Sequence, residues 1–274
     1  MIRVLAITPA YNEALVLPKF VLQFSQLRQL LKKTDIELKL IVINDGSSDE
    51  TLEFLKSENE KSQEWFSYLS FSSNFGHQAA LAAGLSRVDD WADAVVTLDC
   101  DLEHPIEKIP DLIELWQKNN YILVNTVRRP SRDLPILKRF LSKYFYFVTS
   151  RLTGLELKSG QADFRLWDGK LVRSLKNYFD HIGSLRVFAA WLPGSKGEVA
   201  YDQQVNRERE SRFTFKKNWQ LAVMSIVRFS TMPLRLITVA GMSGISFALA
   251  MASRLPQRAK EAVTSSPVTG LPSW

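Results

Sequence analysis

Two carboxylates spaced by one residue, Asp99 and Asp101, follow the apolar run AVVTL. If the extended backbone continues through them, side chains two apart project to the same side. Two hard oxygen donors on one side form an open Mg2+ or Mn2+ site, with positions left for water and phosphate oxygens. A solvated turn has the same short pattern. What favours the metal reading is placement, because polar or acidic sequence also closes two earlier apolar runs: PAYNE at Pro9–Glu13 and NDGSSDE at Asn44–Glu50. Within the latter, Ser47 and Glu50 have capping-box spacing, so two readings stay open for them, a helix start or a part in the chemistry, while Asp45 is the more readily read as a site residue. The chain has no Walker P-loop and no GxGxxG fingerprint, so a diphosphate must be held without the usual glycine cradle.

The elements that must position these residues are readable from hydrophobic period. Arg3–Thr8, Leu38–Asn44, Tyr68–Phe71, Ala94–Asp99 and Ile122–Val127 are predicted strands, rich in branched aliphatics. Between them, apolar residues recur at helical spacing: Leu17, Val21, Phe24, Leu27 and Leu31; Leu52 and Leu55; Ala79 to Leu85; Ile109, Leu112, Ile113 and Trp116. Alternation of this kind predicts an α/β fold, a mostly parallel sheet with helices on both faces. Ligands then belong at the carboxyl ends of the strands, where the three polar segments lie.

A chain of 274 residues is about one large α/β domain plus an appendage, at roughly 150 residues per domain. With 46% apolar and 23% charged residues, whole-chain disorder, a collagen and a polytopic membrane protein are excluded. Cys100 is the single cysteine, so no intramolecular disulfide forms, which fits a reducing compartment. It reads as an inward filler of the turn between Asp99 and Asp101. The N-terminus enters an apolar strand directly, without the features of a cleaved signal peptide.

The net charge of +6 is local. Arg128, Arg129, Arg132, Lys138, Arg139 and Lys143 face only Asp133, and seven cations between Arg207 and Arg235 face only Glu208 and Glu210. The remainder is net acidic, so no nucleic-acid partner is expected and two anion-facing patches are. Over residues 213–235, Phe213, Phe215, Trp219, Leu221, Ala222, Ile226 and Phe229 interleave with Lys216, Lys217 and Arg228, the pattern of an interfacial amphipathic helix with membrane lipid as its partner. Residues 236–252 are uncharged, at the short limit for a transmembrane helix; a buried helix is the alternative. Residues 253–274 carry no periodic pattern and read as a disordered tail.

PAYNE, VINDGSSDET, NFGHQAALAAGL and LDCDLEHP, in this order, resemble the family 2 glycosyltransferases of GT-A fold. ADFRLWD at Ala162–Asp168 and FSTMPLRL before the last apolar run are similar, more narrowly, to the polyprenyl-phosphate hexosyltransferase branch, the dolichyl-phosphate mannose synthases and bactoprenol glucosyltransferases. The resemblance covers residues 2 to about 250 and places a catalytic domain at residues 1–212. It implies that Pro9, Tyr11, Glu13 and Asp45 line the nucleotide pocket, and that Asp99 and Asp101 hold the metal against the diphosphate. Glu103 stands where the family commonly has Gln, as a further metal-side candidate. Arg128, Arg139 and Ser142 are implied for the acceptor phosphate. Asp163 is the candidate active-site carboxylate that orients the acceptor or takes a proton, with Arg165 as its ion pair. Arg207 and Arg209 would clamp the donor phosphates, although Arg209 replaces the glycine usual in that loop.

The implied activity is inverting, metal-dependent transfer of a hexose from a UDP-glucose or GDP-mannose type nucleotide sugar to a polyprenyl phosphate. It places the protein at the cell membrane with its catalytic domain on the cytoplasmic side, the side the positive-inside rule favours for 207–235. A homo-oligomer is compatible with the sequence. Two other readings stay open: transfer to a sugar hydroxyl of a glycan or lipid, which needs a base, and a non-catalytic nucleotide-sugar-binding protein. A processive synthase lacks its QxxRW signature here.

Overall fold

The computed structural model describes residues 1–129, 161–181, 183–201 and 238–251. Seven strands form one sheet: β1 (Ile2–Ala10), β2 (Ile36–Asn44), β3 (Phe66–Ser70), β4 (Ala94–Thr97), β5 (Leu123–Arg128), β6 (Gln161–Asp168) and β7 (Lys196–Tyr201). The helices are α1 (Leu17–Lys32), α2 (Thr51–Ser62), α3 (His77–Ser86), α4 (Ile109–Asn119), α5 (Gly169–Ser174) and α6 (Leu185–Trp191), with 3-10 turns at Ile106–Lys108 and Lys176–His181. A further helix covers residues 238–251. The strand order is β3-β2-β1-β4-β6-β5-β7, and β6 alone runs antiparallel to its neighbours β4 and β5.

Alternating residues of the strands feed two cores. Val4, Ala6, Val96, Phe164 and Leu166 pack with Leu17, Phe20, Phe24, Ile109 and Leu112 of α1 and α4. Ile7, Val95, Leu123 and Trp167 pack with Leu81 and Leu85 of α3, Val172 of α5 and Phe188 of α6. Burial on both faces explains why the parallel strands read as nearly continuous apolar runs. In α1 the buried residues Leu17, Phe20, Val21, Phe24, Leu27 and Leu31 trace the expected stripe.

Three features depart from the sequence expectations. β4 ends at Thr97 rather than Asp99. After Leu98 donates to the Ile7 carbonyl, the Asp99 backbone N–H turns to His104 Nδ1, and Leu102 adopts a left-handed φ of 64°. The extended geometry is therefore lost before the second carboxylate. The segment ADFRLWD is a strand, sending Phe164 and Leu166 into one core and Trp167 into the other. Third, the capping box does not form. Ser47 Oγ instead accepts the Asn12 N–H, and it is Asp49 Oδ1 that accepts the Thr51 N–H as α2 begins.

Gly46 holds the turn after β2 at φ 67°, and a Cβ there would collide with the Ser73 backbone. Gly46→Ala combines left-handed strain with overpacking against atoms that cannot rotate away. A loss of roughly 2–4 kcal/mol is expected. Urea unfolding of the purified variant measures it, and an unchanged midpoint would contradict the packing described.

Candidate active site

The loops after β1 and β2 are knitted into one platform. The Asn12, Glu13 and Ala14 N–H groups donate to Ser47 Oγ, Thr51 Oγ1 and Asp49 Oδ2 at 3.0, 3.0 and 3.1 Å, and Ser48 N–H returns a bond to Asn12 Oδ1 at 2.8 Å. Burial raises the Asp49 carboxyl, but hydrogen bonds from Thr51 and Ala14 together outweigh it and hold the group below its usual range. Of the residues implied for the nucleotide pocket, Tyr11 is exposed, Glu13 is half-buried and Pro9 is buried in β1. Asp45 is also buried; its two oxygens accept the Phe75 and Gly76 N–H groups at 2.7 and 2.9 Å. It therefore ties the loop before α3 to this platform, using part of the acceptor capacity assigned to a base or ribose.

Beyond β4, Asp99 and Asp101 share one turn with Cys100 between them. Cys100 is buried and its thiol donates to the Pro9 carbonyl, matching the inward-filler reading. Burial, with the charges of Glu13, Asp99 and Asp101, pushes that thiol well up. Asp101 Oδ1 accepts the Glu103 N–H at 3.0 Å. Asp99 Oδ1 is buried and accepts no hydrogen bond. Such an oxygen, next to a second carboxylate, fits a hard divalent cation. Among the described residues no group of three or more His, Cys, Asp or Glu side chains gathers as a metal cluster, so Glu103 is not brought together with both aspartates as a third ligand.

The acceptor-side candidate Asp163 lies at the start of β6. Because β6 is antiparallel, this start meets the carboxyl ends of β4 and β5. Arg165 is 1% exposed, and its Nη2 lies 3.6 Å from Asp163 Oδ1, so the expected pair is present. Three partners escaped the sequence reading. His77 Nε2 is 3.6 Å from Asp163 Oδ2 and 3.4 Å from Asp99 Oδ1. Gln78 Nε2 donates to Asp163 Oδ2 at 3.0 Å, and Arg186 Nη2 lies 3.6 Å from that oxygen. His77 starts α3 and also bridges the two carboxylates.

Burial alone would raise the Asp163 pKa. The His77 hydrogen bond and the charges of Arg186, Arg165 and His77 override it and hold the carboxyl far below the usual range. Burial likewise opposes a charge on His77, but Asp99 and Asp163 raise it to about 9. At neutral pH Asp163 is therefore a fixed anion and a very weak base.

Arg128 ends β5, exposed, and is a ladder partner of Tyr201. Tyr201 is buried against His104 and Phe164; burial, together with Asp99, Glu103 and Asp101 and against the pull of Arg128, lifts its phenol to about 12. No sequence signal marked it. Arg139, Ser142, Arg207 and Arg209, the interfacial segment 213–235 and the tail 253–274 lie outside the described residues.

A mostly parallel sheet with a carboxylate pair beyond β4 and a cation-ringed carboxylate beside it is an arrangement of the GT-A fold. Residues 5–175 match the model for glycosyl transferase family 2, and the chain belongs to that family: it is a glycosyltransferase. It is similar to the uncharacterized glycosyltransferase YkcC of Bacillus subtilis, 31% identical over 88% of this chain and 73% of the relative. It is 32% identical to the bactoprenol glucosyl transferase of Shigella phage SfV, over 88% and 77%. Among solved structures, S. aureus TarS 1-349 in complex with UDP-GlcNAc aligns with a TM-score of 0.52 at 13% identity, covering 83% of this chain and 67% of that one. The Mycobacterium tuberculosis glucosyl-3-phosphoglycerate synthase in complex with Mn2+, UDP and phosphoglyceric acid aligns at 0.52 and 18%, covering 82% and 76%. Those two likenesses support the fold.

Proposed function

We propose that the enzyme transfers a hexose, with inversion, from a UDP-glucose or GDP-mannose type nucleotide sugar to a polyprenyl phosphate at the cytoplasmic face of the membrane. The observation that carries this reading is the setting of Asp163, whose carboxylate oxygens lie 3.6 Å from His77, Arg165 and Arg186. A hydroxyl acceptor needs a base, and a carboxylate ringed by His77, Arg165 and Arg186 is a poor one. A lipid phosphate has a second pKa of about 6 and arrives already ionised. The bactoprenol glucosyl transferase relative, named for a polyprenyl carrier, supports the same acceptor class.

In this mechanism a phosphate oxygen attacks the anomeric carbon as its bond to the nucleotide diphosphate breaks, and the nucleoside diphosphate leaves. Asp99 and Asp101 would hold Mg2+ or Mn2+, which when bound neutralises charge developing on the leaving group. The β1–β2 platform, with Tyr11 and Glu13, would seat the nucleotide. Arg128 and Arg139 would neutralise the acceptor phosphate, with Ser142 donating a hydrogen bond to it, while Arg207 and Arg209 would neutralise the donor phosphates that it must approach. Asp163, anionic throughout, would orient rather than deprotonate.

The test is a panel of UDP- and GDP-sugars with a short polyprenyl phosphate and Mn2+, run beside a glycan acceptor and scored for lipid-linked product. Product on the glycan alone would overturn the assignment.

For the membrane, the helix at 238–251 is exposed at every residue, including Val239, Met242, Ile245, Phe247, Leu249 and Met251. Among the described residues no helix is long and apolar enough to cross a membrane, and we read this segment as one that rests in the interface. Alkaline carbonate is expected to release the protein from membranes; retention in the pellet would favour a span.

A further inference from the structure

We propose that Gln78 is a positioning residue, whose one amide sets both the Asp163 carboxylate and the helix that brings Arg186 to it. Its Nε2 donates to Asp163 Oδ2 at 3.0 Å, and its Oε1 accepts the Leu185 backbone N–H at 2.8 Å. Leu185 is the first residue of α6, and the N-cap residue Ser184 makes no side-chain cap bond. The start of that helix is thus capped from α3. The next residue, Arg186, reaches the same carboxylate oxygen at 3.6 Å. Because the Leu185 N–H requires an acceptor, the amide orientation is fixed, and its NH2 must face Asp163. An uncharged amide so placed holds the anion's rotamer without supplying a proton to it, which a preorganised site requires. Three elements distant in sequence meet at one group.

The inference rests on the reading that Asp163 serves the acceptor side. In the full-length chain, Gln78→Met keeps the side-chain length and loses both bonds, whereas Gln78→Glu keeps the acceptor for Leu185 and loses the donor. Both are expected to lower kcat by about 10- to 100-fold, the scale of a misplaced catalytic group, with KM for the nucleotide sugar little changed. In an Asp163→Asn background, Gln78→Met should add no further loss, since both act on one interaction. Wild-type kcat in both variants, or equal losses in both backgrounds, would overturn the role of Gln78. Full transfer by Asp163→Asn alone would instead overturn the acceptor-side reading. A fold defect is separated by thermal unfolding and by the KM value; a loss that appears as raised KM and lowered Tm with kcat intact also counts against the proposal.

Discussion

Asp101→Ala is expected to lower sugar transfer by about 10²- to 10³-fold or more, the scale of losing a group that stabilises developing charge. The fold should survive, because Asp101 sits in a turn beyond the sheet, where its Oδ1 accepts the Glu103 N–H. Losing one such bond costs about 1 kcal/mol. The measurement is lipid-linked product formation across a Mn2+ titration, with a thermal melt as control. Turnover restored by saturating metal would show weakened affinity only. Turnover unaffected at any metal concentration would remove Asp101 from the site.

Asp163→Asn carries the second large effect, and here activity and stability fall together. Arg165 is 1% exposed and Asp163 12%, so removing the anion leaves a buried guanidinium without its counter-charge. Breaking such a pair costs about 3–5 kcal/mol. Adding Arg165→Met should recover much of that stability and none of the transfer, which separates the pair's two roles. The pH dependence follows from the direction of the shift. A carboxyl depressed in the folded state contributes stability that is complete above its unfolded pKa, about 3.9, and is lost only as pH falls through the lower folded value. The stability gap between wild type and Asp163→Asn should therefore stay flat from about pH 5 to 6.5 and narrow above that, as the charge on His77, raised to about 9 partly by Asp163, is lost. A gap that instead shrinks as pH falls from about 6.5 to 5 would mean Asp163 titrates there and is available as a base.

The parallel part of the sheet was legible because β1, β2 and β4 are buried on both faces, and their polar ends marked the platform and the Asp99–Asp101 turn. β6 was not, because Arg165 and Trp167 share a face with Asp163 while Phe164 and Leu166 fill the other, giving neither an apolar run nor a clean alternation. β7, KGEVAY, is short and glycine-bearing. His77 and Gln78 lie within the motif NFGHQAALAAGL, but nothing local ties them to Asp163, and Arg186 carries no signature. Gln78 finds its partners 85 and 107 residues away, a relation only the antiparallel insertion of β6 creates. Asp163 was named by resemblance, but its ring of cations and hence its weak basicity were beyond any motif.

The antiparallel run of β6 also bears on chain length. Val127 near the end of β5 and Gln161 at the start of β6 are ladder partners, so the two ends of the 130–160 connection are neighbours in the sheet, close to Asp163. Loop-closure entropy grows only logarithmically with length, so a connection between ends this close can be lengthened or shortened at small entropic cost. The sheet, the β1–β2 loop platform and the carboxylate that begins β6 would stay in place.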